Sequence, residues 1–231
     1  MTVMTPQTQR SVRDEMLHAA VGLLNDHGPD ALQTRKVASA AGTSTMAVYT
    51  HFGGMPGLIA EVADEGMRQF DAALALPHTA DPVADLLATG LAYRHYAIER
   101  PHMYRLMFGS TSAHGINAPA HNVLTLSIPQ IGERYPAFAQ FVRSVLRSIE
   151  AGRISVEPVD PNAADAAVVA TAAQLWSLMH GFVMLELAGF FGTDGSAVTP
   201  VLGSLISREL VALGDSPEQV LQSQRLAVGV G

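Results

Sequence analysis

Cysteine is absent from the 231 residues, which excludes disulfides and any thiolate metal centre. Lysine is almost absent: Lys36 stands alone beside 13 arginines. Aromatics reach only 6% and charged residues 15%, while hydrophobic residues reach 48%, which excludes a disordered chain. Ala, Leu, Met and Val dominate what remains, and that bias favours helices over strands. Arginine in place of lysine, with much Ala and Val, is the composition of a GC-rich bacterial genome. The first 15 residues are polar and carry no apolar run, so no signal peptide is expected.

The net charge of −7 is opposite in sign to that of a typical nucleic-acid binder, but its distribution matters more than its sum. Residues 1–55 hold Arg10, Arg13, Arg35 and Lys36 against Asp14, Glu15, Asp26 and Asp30, and are neutral; the acidity lies in the remainder. An acidic remainder keeps the chain soluble and discourages non-specific nucleic-acid contact.

Pro and Gly punctuate a series of helical patterns, and nothing demands a strand. The first helix is expected over 11–27, with Ser11 and Asp14 as a capping box and Gly28-Pro29 as its stop. Short helices follow over 34–41 and 45–51, separated by Gly42 and with Ser44 as the cap of the later one. A fourth helix starts after Gly53-Gly54 at Pro56 and runs to about residue 75. Beyond a linker over 77–82, helices are expected over 82–99, 102–109, 120–132, 137–151, 162–191 and 200–213, with loops over 110–119 and 152–161. The final residues read as a loosely ordered tail. The stretch from Val168 to Phe191 is apolar and long enough to cross a bilayer, but it contains Thr171, Gln174, Ser177, His180 and Glu186. A Glu in mid-span is costly in lipid, so a buried bundle helix is expected and no membrane.

The informative stretch is 32–58. A short helix, a Gly turn and a second short helix make a helix-turn-helix, with Val37, Ala38, Ala41 and Val48 between the helices. The other face of the later helix offers short or amphipathic side chains suited to a major groove. Residues 12–62, through Val37-Ala38, Ala41-Gly42, Ser44 and above all Tyr49-x-His51-Phe52 and Leu58, resemble the DNA-binding motif of the tetracycline-repressor (TetR) family. The resemblance implies an all-α chain, with an N-terminal three-helix helix-turn-helix domain and a C-terminal helical domain for ligand binding and dimerisation, about nine helices in total. It assigns phosphate contact to Tyr49 and His51, packing to Phe52, and base or backbone contact to Thr43, Thr45, Met46 and Thr50. Thr34, Ser44, Arg10 and Arg13 complete the expected DNA-binding set. The chain departs from the family at Met55, where a lysine is common, at Thr50, where arginine is frequent, and at Gln33, where a threonine caps the second helix. With so few charges, phosphate binding falls to Arg10, Arg13, hydroxyls and helix N-termini.

Trp176, His180 and Gly181 form a Trp-x-x-x-His-Gly element, and the segments around 92–109 and 175–191 resemble the C-terminal domains of a group of these regulators. That resemblance implies a homodimer through the last two long helices and an effector pocket. The expected lining is Met103, Met107, Phe108, Phe138, Phe141, Trp176, Met179, His180 and Met184, side chains that adapt to an apolar ligand or simply fill a core. Glu186 is expected to pair across the bundle or sit at its rim. The expected organisation is a DNA-binding domain over 1–55 with a flexible arm over 1–9, a connecting helix and linker over 56–80, a ligand-binding and dimerisation domain over 81–214, and a tail over 215–231.

Nine histidines raise the question of chemistry. His95 and His102 are seven apart, as are His114 and His121, but Pro101 and Pro119 separate the members of each pair. No His-Glu-x-x-His element, Gly-rich phosphate loop or nucleophile elbow is present. The expectation is therefore a non-enzymatic cytoplasmic repressor of a pseudo-palindromic DNA operator, released by a small apolar effector, with no cofactor, no catalytic residue and no metal. A metal-responsive regulator of the same fold and a relative without DNA binding remain open alternatives.

Overall fold

A computed structural model describes residues 11–108, 122–157, 164–192 and 194–229. Arg10, the arm over 1–9, His121 and the whole loop expected over 110–119, with His114, fall outside them. The described residues form eleven α-helices and no strand. The chain divides into two compact units: residues 1–68 with 100–119, and residues 69–99 with 120–231.

The first unit opens with α1 (Val12–His27), where Ser11 and Asp14 form the expected capping box. A single 3-10 turn (Pro29–Ala31) leads to α2 (Thr34–Ala40) and α3 (Thr45–Phe52). The helix α4 (Met55–Leu74) starts one residue before the expected Pro56 and continues past Arg68 into the second unit. The unit is completed by α6 (Pro101–Met107). Its buried side chains include Met16, Ala20, Leu24, Val37, Val48, Leu58, Val62 and Met103. Met16, Ala20 and Leu24 repeat every four residues along one face of α1, which fixes the face that α1 buries.

Two glycines admit α6. A Cβ on Gly28 would stand 3.2 Å from the His102 ring, and a Cβ on Gly66 would stand 2.5 Å from the Met103 sulfur and 2.9 Å from that of Met107. Although 101–107 lies within the stretch expected as the C-terminal domain, α6 packs on α1 and clusters with the first unit.

The second unit is built around α5 (Pro82–Glu99), which is packed by α8 (Pro136–Glu150), α9 (Ala164–Leu187) and α11 (Pro217–Val228). The helix expected over 120–132 is replaced by a 3-10 turn (Val123–Thr125) and α7 (Ile128–Arg134). Ser127 accepts from the Gln130 N–H, and the Gln130 amide oxygen accepts from the Ser127 N–H; this capping box restarts the helix after Pro-free residues that looked continuous. The final expected helix begins with a π-helical turn (Val198–Gly203) before α10 (Ser204–Ala212).

The tail expected to be loose over 215–231 is ordered as α11, which buries Val220, Ser223 and Ala227. An ionic cluster fixes it. Arg153 donates to Asp215 at 2.8 and 3.0 Å and to Asp81 at 2.9 Å, and the Ser223 hydroxyl donates to Asp81 at 2.6 Å. Asp81 also caps α5 through the Val83 and Ala84 N–H groups, both at 3.0 Å. Burial opposes the charge on Asp81, but these donors outweigh it and hold its carboxyl below the ordinary value. These partners lie 62 to 142 residues apart in the chain, so no local pattern announced the cluster.

Candidate nucleic-acid interface and effector core

The interface begins with the geometry of α3. Gly42, at φ +63°, turns the chain out of α2, and Gly53, at φ +70°, ends α3 with its N–H on the Tyr49 carbonyl at 3.0 Å. Between these turns only eight residues are helical, so one inward side chain sets the rotation. That side chain is Val48, fully buried, which turns Met46 (68% exposed) and Tyr49 (59% exposed) outward. Thr45, Thr50 and His51 are exposed beside them. The Thr50 hydroxyl donates back to the Met46 carbonyl at 3.1 Å, so its oxygen faces out as an acceptor.

Other expected residues sit differently. Ser44 holds the N-cap position with extended backbone, but its side chain makes no capping bond. Thr34 is the first residue of α2, and the cap position is Gln33, whose amide turns away to the Asp30 carbonyl at 3.0 Å. Thr43 is half-buried and its N–H is bonded to the Ala38 carbonyl at 2.9 Å. Arg13 is already engaged: it pairs with Glu61 of α4, and its guanidinium lies 5.4 Å from the centroid of the Phe52 ring. Sequence reasoning missed Glu61, because a pair 48 residues apart leaves no periodic signal. It also missed Gly57, where a Cβ would fall on the Phe52 carbonyl oxygen. Arg35 and Lys36 are exposed on α2 and supply the unit with charge that no residue assignment had used.

In the second unit the Trp176 ring is the hub of an aromatic cluster. Its centroid lies 4.9 Å from Tyr93, 5.2 Å from Phe141, 5.6 Å from Phe138 and 6.0 Å from Phe70, all edge-on. Tyr93 is fully buried, and its hydroxyl lies 3.1 Å from His180 Nδ1. Burial pushes the His180 imidazole below its ordinary value, which favours the neutral ring. Met179 lies against Gly90, where a Cβ would come within 2.8 Å of its methyl carbon. Met184, one turn beyond His180, is half-buried.

The nine residues expected to line one pocket therefore divide. Phe138, Phe141, Trp176, Met179, His180 and Met184 belong to the second unit, whereas Met103, Met107 and Phe108 belong to the first, where the Phe108 ring meets that of Tyr104 at a tilt, 4.7 Å between centroids. Phe70, Tyr93 and Tyr96 join the cluster without having been expected; the i, i+3 spacing of Tyr93 and Tyr96 on one helix was the available signal. Glu186 pairs across the bundle, accepting from Arg94 at 2.6 and 2.8 Å.

One face of α9 is buried through Val168, Ala172, Leu175, Met179 and Val183. The opposite face, with Gln174, Ser177, Gly181 and Leu185, and Ala188 just beyond the helix, is exposed in the single chain. Beside it lies a groove of about 680 Å³ lined by Leu124, Ala170, Ala173, Gln174, Ser177, Leu178 and Glu209. Among the described residues no group of three His, Asp or Glu side chains is placed to hold a metal ion.

A short exposed helix held behind a Gly turn, followed by an all-helical unit, defines a helix-turn-helix transcriptional regulator. Residues 16–62 match the family of bacterial regulatory proteins of the tetR type, and residues 86–208 match the tetracycline-repressor-like C-terminal domain. The chain belongs to this family and is a DNA-binding regulator, not an enzyme. No curated protein matches it. Solved structures share the fold. A protein of unknown function from Rhodococcus sp. RHA1 is 23% identical with a TM-score of 0.57, over 98% of this chain and 99% of that one. RolR in complex with resorcinol is 15% identical with a TM-score of 0.59, over 94% and 92%. The regulatory protein SCO4313 is 24% identical with a TM-score of 0.55, over 88% and 95%.

Proposed function

We propose that the chain is a cytoplasmic repressor that binds a pseudo-palindromic operator as a homodimer and leaves it when a small, mostly apolar effector binds the second unit. The observation that carries this reading is the outward face of α3: Val48 is buried while Thr45, Met46, Tyr49, Thr50 and His51 are exposed. Tyr49 and His51 contact phosphates, and Thr43, Thr45, Met46 and Thr50 contact bases or backbone. Thr34 and Ser44 flank them.

The exposed small-residue face of α9, with α10, is the dimer surface; Gly181 and Ala188 let two helices approach closely. A two-fold dimer places its reading helices about 34–36 Å apart, one turn of the duplex. The effector core is the Trp176 cluster with Met179, His180 and Met184. Its rings and the Tyr93–His180 polar pair suit an apolar molecule with a polar edge, and RolR, which shares the fold, binds resorcinol. The connecting helix α4 runs from one unit into the other, and so transmits the effector's preference for one conformation.

The test is a gel-shift titration of the full chain on the DNA upstream of its own gene, repeated with compounds that raise its melting temperature. The reading predicts binding in nanomolar to micromolar protein and release by at least one stabilising compound. Binding that no stabilising compound alters would remove the effector half of the proposal; no binding to any upstream duplex would remove the whole.

A further inference from the structure

We infer that Arg13 is a positioning residue that holds α3 from behind, and not a phosphate ligand; the inference rests on the DNA-binding reading above. Arg13 lies in the first turn of α1. Its guanidinium pairs with the Glu61 carboxylate of α4 and lies over the ring of Phe52, the last residue of α3. One side chain thus fastens three helices at a single point.

The need for such a fastening follows from α3 itself. Eight residues with one fully buried side chain and no side-chain cap at Ser44 have little of their own to fix their direction. Phe52 lies four residues after Val48, on the same inward face. Its carbonyl is pressed against Gly57, and its ring is covered by Arg13, so both ends of the residue are held. A planar guanidinium can stack on a ring and meet a carboxylate together, which an ammonium does less well. Pairing with Glu61 also cancels the charge that a phosphate would seek.

The two roles make opposite predictions. A phosphate ligand contributes to all DNA binding and to its salt dependence, about one unit of log–log slope per contact. A brace for α3 contributes only where that helix reads a sequence. The experiment uses the full chain and two duplexes of equal length: one enriched from a random-sequence library by the wild-type protein, and one unrelated. Arg13→Ala is expected to weaken the enriched duplex roughly tenfold while leaving the unrelated duplex and the salt slope unchanged. Arg13→Lys should recover part of that loss, and Glu61→Gln should weaken the enriched duplex by a few-fold.

Equal losses on both duplexes, with a slope shallower by about one, would overturn the inference and make Arg13 a phosphate ligand. Tighter binding of both duplexes by Glu61→Gln would overturn it too, because Glu61 would then be a competitor for phosphate. Should Arg13→Ala fail to fold, Arg13→Lys and Glu61→Gln decide by the same signs. A wild-type protein that enriches no duplex defeats the DNA-binding reading and this inference with it; a wild-type protein that binds while its variants shift the slope defeats this inference alone.

Discussion

Arg94 grips Glu186 through two parallel bonds, Nε to Oε2 at 2.8 Å and Nη2 to Oε1 at 2.6 Å, and so ties α5 to α9 in the middle of the second unit. The Glu186 side chain is 4% exposed and Arg94 23%. Removing one partner strands a charge in a largely dry site, which costs about 3 kcal/mol. Glu186→Leu or Arg94→Leu alone should therefore lower the denaturant midpoint sharply, while the double replacement should recover much of the loss. A double mutant as unstable as the sum of the two singles would show that the pair contributes nothing as a pair.

Gly57→Ala should damage the first unit although alanine is the better helix former. The gain in helix propensity is about 1 kcal/mol, but a Cβ placed on the Phe52 carbonyl must drive α3 and α4 apart, and overpacking costs about 1–3 kcal/mol. The proposed DNA binding should fall with it. Thermal unfolding and duplex titration on the same preparation would check both, and an unchanged affinity would mean that the α3–α4 spacing does not matter.

Gly181→Ala separates the fold from the dimer. A Cβ there meets nothing within 4 Å in the single chain, so the substitution should leave the subunit as stable or raise its stability by up to about 1 kcal/mol. If α9 packs on its twin, the same methyl group intrudes on the close approach and the dimer weakens. Sedimentation equilibrium reads that weakening, and an unaltered dimer constant would place the dimer surface elsewhere.

Acid should loosen the second unit through His180 before it reaches the carboxylates. The imidazole is held below its ordinary value of 6.5 by burial, so the unfolded chain binds the proton more readily than the folded one. Stability is then complete above 6.5 and declines as pH falls through that value toward the depressed one. His180→Gln should flatten this decline. Asp81 and Asp85, both held below 3.8 by hydrogen bonds and by Arg153 and Arg147 against the cost of burial, keep their contributions until the pH drops under the ordinary carboxyl range.

Operator binding should depend weakly on salt. The reading face of α3 carries hydroxyls, Met46 and Tyr49 in place of arginine, and Met55 stands where the family commonly has lysine. Each phosphate neutralised adds about 0.9 to the log–log slope, so a slope far smaller in magnitude than about 10 is expected. Tyr49→Phe or His51→Ala should weaken DNA binding and leave effector binding intact.

The helix-turn-helix was legible because its signals are local: Ser11 caps with Asp14 three residues on, and Gly42, Val48 and Tyr49-x-His51-Phe52 lie within a few turns of one another. The membership of α6 in the first unit was not, because it depends on two absent side chains, at Gly28 and Gly66, that no periodicity marks. The same holds for α11, whose anchor is the meeting of Asp81, Arg153, and Asp215 with Ser223, from three separate stretches of chain. A cap inferred from residue type alone failed at Ser44, which occupies the position without making the bond. Glu186 was legible because a lone acid in the apolar stretch 168–191 requires a partner.

The ring of Phe70, Tyr93, Phe138 and Phe141 around Trp176 surrounds the one tryptophan in the chain. Every photon emitted by an indole in this protein originates at that hub. The protein therefore carries a built-in optical reporter on its own core, with no label to add and no second tryptophan to subtract. Excitation at the red edge of the absorption band would report on the environment of that cluster, and so test the proposed effector site, in the same cuvette and at the same concentrations as a titration with DNA.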